Sequence, residues 1–115
     1  MADVTIYLSL VSGTTNLHLS DSEGHSGDGT ITTDVSPGDN VTWQVASGAN
    51  ISSIDQIYDK VANNIFSSGP SEQGNGTWAG TVSSSASGTE SYGIKYTVNG
   101  TQYDDDPELE VKDDD

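Results

Sequence analysis

A chain of 115 residues with 18 Asp and Glu, three Lys and no Arg has a formal net charge of −15 at pH 7. Nucleic-acid phosphates and anionic membrane surfaces repel such a chain, no apolar run is long enough to span a bilayer, and both partner classes are excluded. The absence of cysteine excludes disulfides, thiolate metal centres and thiol nucleophiles.

Leu, Ile, Val and Phe make up roughly a fifth of the residues, a level at the edge of the disordered class, so folding has to be argued from pattern. Val4, Ile6, Leu8 and Leu10 alternate with polar residues, the period of a half-buried strand, and Leu17 and Leu19 repeat it after a Gly13–Thr15 turn. Residues 21–29 are Gly, Ser and acids and predict a loop. Ile31, Thr33 and Val35 lead into Ser36-Pro37-Gly38-Asp39, a turn sequence, and Val41, Trp43 and Val45 leave it with the same period of two. Ile54, Ile57, Tyr58 and Val61 have spacings that suit a short helix as well as an irregular strand, which predicts at most one short helix near 55–64. Residues 67–76 and 83–89 predict loops, with a strand at Trp78–Val82 between them. Tyr92, Ile94, Tyr96 and Val98 alternate up to Asn99-Gly100, the preferred dipeptide of a two-residue hairpin, and Thr101–Tyr103 is the return strand. Leu109 and Val111 mark a last strand. The whole predicts an all-β Greek-key sandwich of seven to nine strands, cupredoxin-like or immunoglobulin-like, over residues 1–111, with 112–115 as an acidic end.

The run Asp34-Val-Ser-Pro-Gly-Asp-Asn-Val-Thr-Trp43 resembles the V-x-P-G-D-x-V-x-W strand–turn–strand of cupredoxins, and Tyr92-Gly-Ile-Lys-Tyr-Thr-Val98 is similar to the aromatic strand leading to their copper loop. The resemblance implies the fold without the metal. Blue copper needs a thiolate, two imidazoles and usually a thioether. Here no histidine follows Trp43, no cysteine or methionine follows Tyr96, and His18 and His25 precede the motif. No type-1 copper site can be built. The pair Tyr96-Thr-Val98 and Asp106-Pro107-Glu-Leu-Glu-Val111 is also similar to the end of small bacterial proteins with such a sandwich.

Two acidic stretches are candidates for a cation. Asp104, Asp105 and Asp106 offer adjacent hard oxygens of the kind Ca²⁺ takes, and the glycine-rich loop holds Asp21, Glu23 and Asp28 beside His25, which would add affinity for Zn²⁺ or Ni²⁺. Neither matches a spaced Ca²⁺ loop, and a solvated tail and a plain turn explain both as well. Ca²⁺ is thus the one cofactor left open, and none is required. His18, between Leu17 and Leu19, reads as an outward strand histidine. The four Asn-x-Ser/Thr sites, at Asn40, Asn50, Asn75 and Asn99, are what a Ser/Thr-rich chain carries by chance.

Trp78 and Tyr103 are the aromatic candidates for a carbohydrate platform, whereas Trp43, between Val41 and Val45, reads as core. No G-x-S-x-G elbow and no phosphate-cradling loop is present, so catalysis is not expected. The start, Met-Ala-Asp-Val-Thr-Ile-Tyr, has no basic n-region, which predicts a cytoplasmic protein, or an extracellular one if a leader has been removed. The resulting expectation is a non-enzymatic module that is structural, binds itself or binds another protein. The alternative is a module for a divalent cation or carbohydrate.

Overall fold

The computed structural model describes residues 3–11, 13–28, 31–46, 48–59, 66–74, 76–86, 88–105 and 107–111. In chain order these form β1 (Asp3–Leu10), β2 (Leu17–Asp21), β3 (Ser26–Asp28), β4 (Thr32–Val35), β5 (Asn40–Val45), β6 (Ser53–Asp59), β7 (Phe66–Glu72), β8 (Trp78–Val82), β9 (Gly88–Val98), β10 (Thr101–Asp105) and β11 (Glu108–Val111). They make two sheets, one of six strands in the order β3-β2-β1-β5-β8-β7 and one of five in which β9 pairs with β6, β10 and β11, and β11 with β4. The expected all-β sandwich is what forms, with mixed sheets, since β1 runs parallel to β5 and β4 parallel to β11.

The period-two residues point where the alternation predicted. Val4, Ile6, Leu8, Leu17, Leu19, Val41 and Trp43 from one sheet meet Ile94, Tyr96, Val98 and Leu109 from the other, all buried. Burying a large apolar side chain contributes about 1.5–3 kcal/mol, so this interlayer is the main source of stability in a chain short of aliphatic residues. At its centre lies Trp43, fully buried, edge to face with Phe66 and Tyr92.

The late hairpin turns on Asn99 and Gly100, both at positive φ (52° and 84°), the signature of a type I′ turn. Its register runs unbroken from Val98↔Thr101 through Ile94↔Asp105 to Ser91↔Glu108, with the Pro107 carbonyl accepting from the Tyr92 N–H between them. β10 and β11 are therefore successive parts of one long return strand. The Ser36–Asp39 turn is closed by the Asp39 N–H to the Ser36 carbonyl at 3.0 Å, and the Asp39 carboxylate accepts the Ser36 N–H at 2.8 Å.

The eleven strands among the described residues exceed the expected seven to nine because β3, β6 and β7 fall in stretches whose composition predicted loop or helix. Residues 55–59 are strand, not helix. Ile54 pairs with Tyr96 and Gln56 with Lys95, so Asp55 is an extra residue in a β-bulge. The bulge puts Ile54 and Ile57 on the same buried face three residues apart, which mimics helical spacing. Residues 60–64 of the expected helix and the 112–115 end lie outside the described residues.

Candidate functional site

The loop after β2 is organised by Asp21. Its position continues the inward series Leu17, Leu19, so its carboxylate is buried. A buried carboxylate is costly unless its lone pairs are filled. Oδ1 accepts the backbone N–H groups of Glu23 (3.0 Å) and His25 (2.9 Å), and Oδ2 accepts the Thr33 hydroxyl of β4 at 2.8 Å. His25 Nδ1 lies 3.0 Å from Asp21 Oδ2 and 3.8 Å from Glu23 Oε1, and Nε2 lies 3.7 Å from Asp34 Oδ2. Burial, with the charges of Asp21 and Asp34, raises the Glu23 carboxyl above its ordinary value despite His25.

Candidate ligand atoms of Asp21, Glu23 and His25 lie within 4.8 Å of one another, so two of the sequence candidates do come together, joined by a histidine. The side chain of Asp28 lies outside what the structure describes. Both oxygens of Asp21 already accept hydrogen bonds, so a metal here would have to displace the His25 contact. The arrangement is built as a clasp that closes the loop and, through Thr33, ties one sheet to the other.

The C-terminal acids do not converge. Asp104 and Asp105 are neighbours on β10 and point to opposite faces. Asp104 accepts the Tyr58 hydroxyl at 2.8 Å on the outer face, and Asp105 accepts the Tyr96 hydroxyl at 3.3 Å on the inner one. Asp106 lies outside the described residues. The Tyr58 ring reaches Asp104 by lying across Gly93, where a Cβ would stand 2.2 Å from its Cζ, and Lys95 Nζ sits 5.4 Å from the ring centroid.

Trp78 and Tyr103 are in different sheets, and both pack against the core. Tyr103 stacks on Tyr96 with centroids 5.6 Å apart. Trp78 pairs with Trp43 across β5 and β8, and its Nε1 donates to the Ile54 carbonyl of the other sheet at 3.2 Å. It lies in an open cleft of about 710 Å³ between the sheets. Glu72, its register partner on β7, and Asp55, on the β6 bulge, also line this cleft. Sequence reading missed both acids because neither β7 nor β6 was legible as a strand.

Pairing also sorts the charge between the two outer faces. On the six-stranded sheet the outward positions are Thr5, Tyr7 and Ser9 of β1, His18 and Ser20 of β2, Thr42 and Gln44 of β5, and Ala79 and Thr81 of β8. Beyond Asp3 at its end, these four strands present no charged side chain outward among the described residues. On the other sheet Asp34, Asp104, Glu108 and Glu110 face out, with Lys95 among them.

No curated protein matches the chain in sequence. An endo-fucoidan hydrolase of glycoside hydrolase family 107 is similar in structure, with a TM-score of 0.44 and 11% identity over 97% of this chain. The chain spans 24% of that structure's length. A family model described as a domain of unknown function, DUF8788, matches residues 1–104, and the chain belongs to that family.

Proposed function

We propose that the domain is a non-catalytic module that associates with further copies of itself through the outer face of β1, β2, β5 and β8, where Asp3 at one end is the one charged side chain among the described residues. The observation that carries this is the partition of charge. Copies with a net charge of −15 repel one another, and they can meet at low cost only where neither presents a carboxylate. The side chains of Tyr7, Ser20, Thr42 and Gln44 on this face make no hydrogen bond with other described residues, so their polar groups are open to a partner. Strands β1 and β5 meet neighbours by their faces and not by their edges, because both are central in the sheet. The margins at β3, β6 and β7 are poor templates for strand addition. β3 has three residues, β7 carries Pro70 and two register shifts, and β6 is bulged. The lack of catalysis is supported at His25, whose partners among the described residues are carboxylates and no hydroxyl nucleophile.

Sedimentation velocity tests the reading. The expected result is a mass that rises with concentration and rises further with added NaCl, which screens the net charge. Replacing Thr42 and Gln44 by Asp is expected to abolish it. A strict monomer at high concentration and high salt overturns the reading.

The same face favours a second reading, a neutral saccharide stacked on Tyr7. Glycan-array binding that is lost in Tyr7→Ala would select it.

A further inference from the structure

The cleft beside Trp78 has a chemistry that self-association does not use. Its apolar wall is Val45, Ile51, Ile54 and Trp78, and the indole is held in place by its bond to the Ile54 carbonyl. Its acids are Asp55 and Glu72, and no Lys, Arg or His lines it among the described residues. Burial works to raise Asp55, but hydrogen bonds from Ser53, Thr97 and Gln102 outweigh it and hold the carboxyl below its ordinary value. Glu72 is exposed, and among the described residues its carboxylate meets only the Gly76 N–H, at 3.4 Å. The site therefore combines an immobilised indole with two carboxylates and no counter-charge.

We infer that this cleft receives the cationic side chain of a lysine or arginine from a basic partner protein. A long side chain of this kind lays its methylenes on the apolar wall, sets its charge against the indole and pairs its N–H groups with the carboxylates. The molecule already places a lysine over an aromatic ring with a carboxylate at the ring's edge elsewhere. Lys95 lies over the Tyr58 ring, whose hydroxyl donates to Asp104. The chain has no arginine, and the one lysine among the described residues is the one over Tyr58. The net charge of −15 steers a basic partner inward. A neutral sugar fits less well, since it leaves two carboxylates without a counter-charge.

Tryptophan emission reads the site directly, because Trp43 is fully buried and Trp78 is only partly so. The probes are a short Gly/Arg peptide, a Gly/Ser peptide of the same length and a neutral oligosaccharide. The expected result is an emission shift with the Gly/Arg peptide alone, weakening as NaCl is added. Calorimetry on Glu72→Gln is expected to show about fivefold weaker binding than on Asp3→Asn, which removes the same charge from the far end of the other face. Equal losses in the two variants would mean attraction to net charge only and overturn the inference. So would undiminished binding to Trp78→Leu, or a shift with the oligosaccharide and none with the peptide. Salt strengthens self-association and weakens this binding, so failure of one leaves the other standing.

Discussion

The indole N–H of Trp43 donates a 3.0 Å hydrogen bond to the Tyr92 hydroxyl from the opposite sheet, and the two rings meet edge to face at 5.5 Å. Both residues are buried, so each polar atom depends on the other. Tyr92→Phe leaves the indole N–H unpaired and is expected to cost about 1–3 kcal/mol in urea unfolding. A cycle with Trp43→Phe should show coupling between the two sites. Additive losses would mean that the bond contributes nothing beyond packing.

Stability should fall at alkaline pH. Burial and the nearby Asp21 raise the Tyr92 phenol well above its ordinary value of 10.0, against the bond from Trp43. Burial and then the charge of Asp105 push Tyr96 up to about 12. A raised phenol stays protonated in the fold after the unfolded chain has begun to ionise, so its contribution is complete below pH 10 and is lost as pH climbs from there through about 12. Chemical denaturation at stepped pH should show the decline beginning near 10, and its onset should be blunted in Tyr96→Phe.

The Asp21 clasp is a stability element. Asp21→Ala leaves two loop N–H groups and the Thr33 hydroxyl without their acceptor, and a loss of about 3–5 kcal/mol is expected. Glu23→Gln should act in the opposite direction. It removes a carboxylate whose ionisation is disfavoured in the fold, so it should raise the melting temperature at pH 7. That gain should vanish as pH falls below the raised Glu23 value and the native carboxyl becomes neutral. A gain that persists in acid would assign the effect to something other than charge.

Gly93 is required by Tyr58. A methyl at Gly93 would overlap the ring, forcing it off Asp104 and away from Lys95. Gly93→Ala is expected to destabilise the domain by about 1–3 kcal/mol. In a Tyr58→Ala background the same change should cost much less. An equal cost in both backgrounds would place the strain in the backbone instead.

Because Asp104 and Asp105 face opposite ways, Ca²⁺ should leave the melting temperature unchanged, read by calorimetry with and without chelator. A stabilisation that disappears in Asp104→Asn would contradict this.

Much of the sandwich was legible because alternation is a local property. Residues two apart on a strand share a face whatever that strand pairs with, so Trp43, Ile94 and Leu109 could be placed in the core directly. The two turns were legible for the same reason, since Pro37-Gly38 and Asn99-Gly100 encode their own backbone geometry. The bulge at Asp55 was not, because an inserted residue shifts the period and only the partner strand reveals the insertion. Nor was β7, whose Gly69 and Pro70 suit a turn and fall between the pairs Ser68↔Thr81 and Ser71↔Ala79, where the register with β8 shifts.

The candidate sites divide along the same line. That Asp21 and His25 share a loop is plain from the chain, but that Asp21 is buried and joined to Thr33 depends on two sheets meeting. Composition alone determined the charge of −15 and the absence of any thiolate ligand for copper. The distribution of that charge, with one face nearly free of it among the described residues and one acidic, and the meeting of Trp78, Asp55 and Glu72 in one cleft were decided only by which strands lie side by side. That choice rests on contacts between residues far apart in the chain, whose fit no local pattern records.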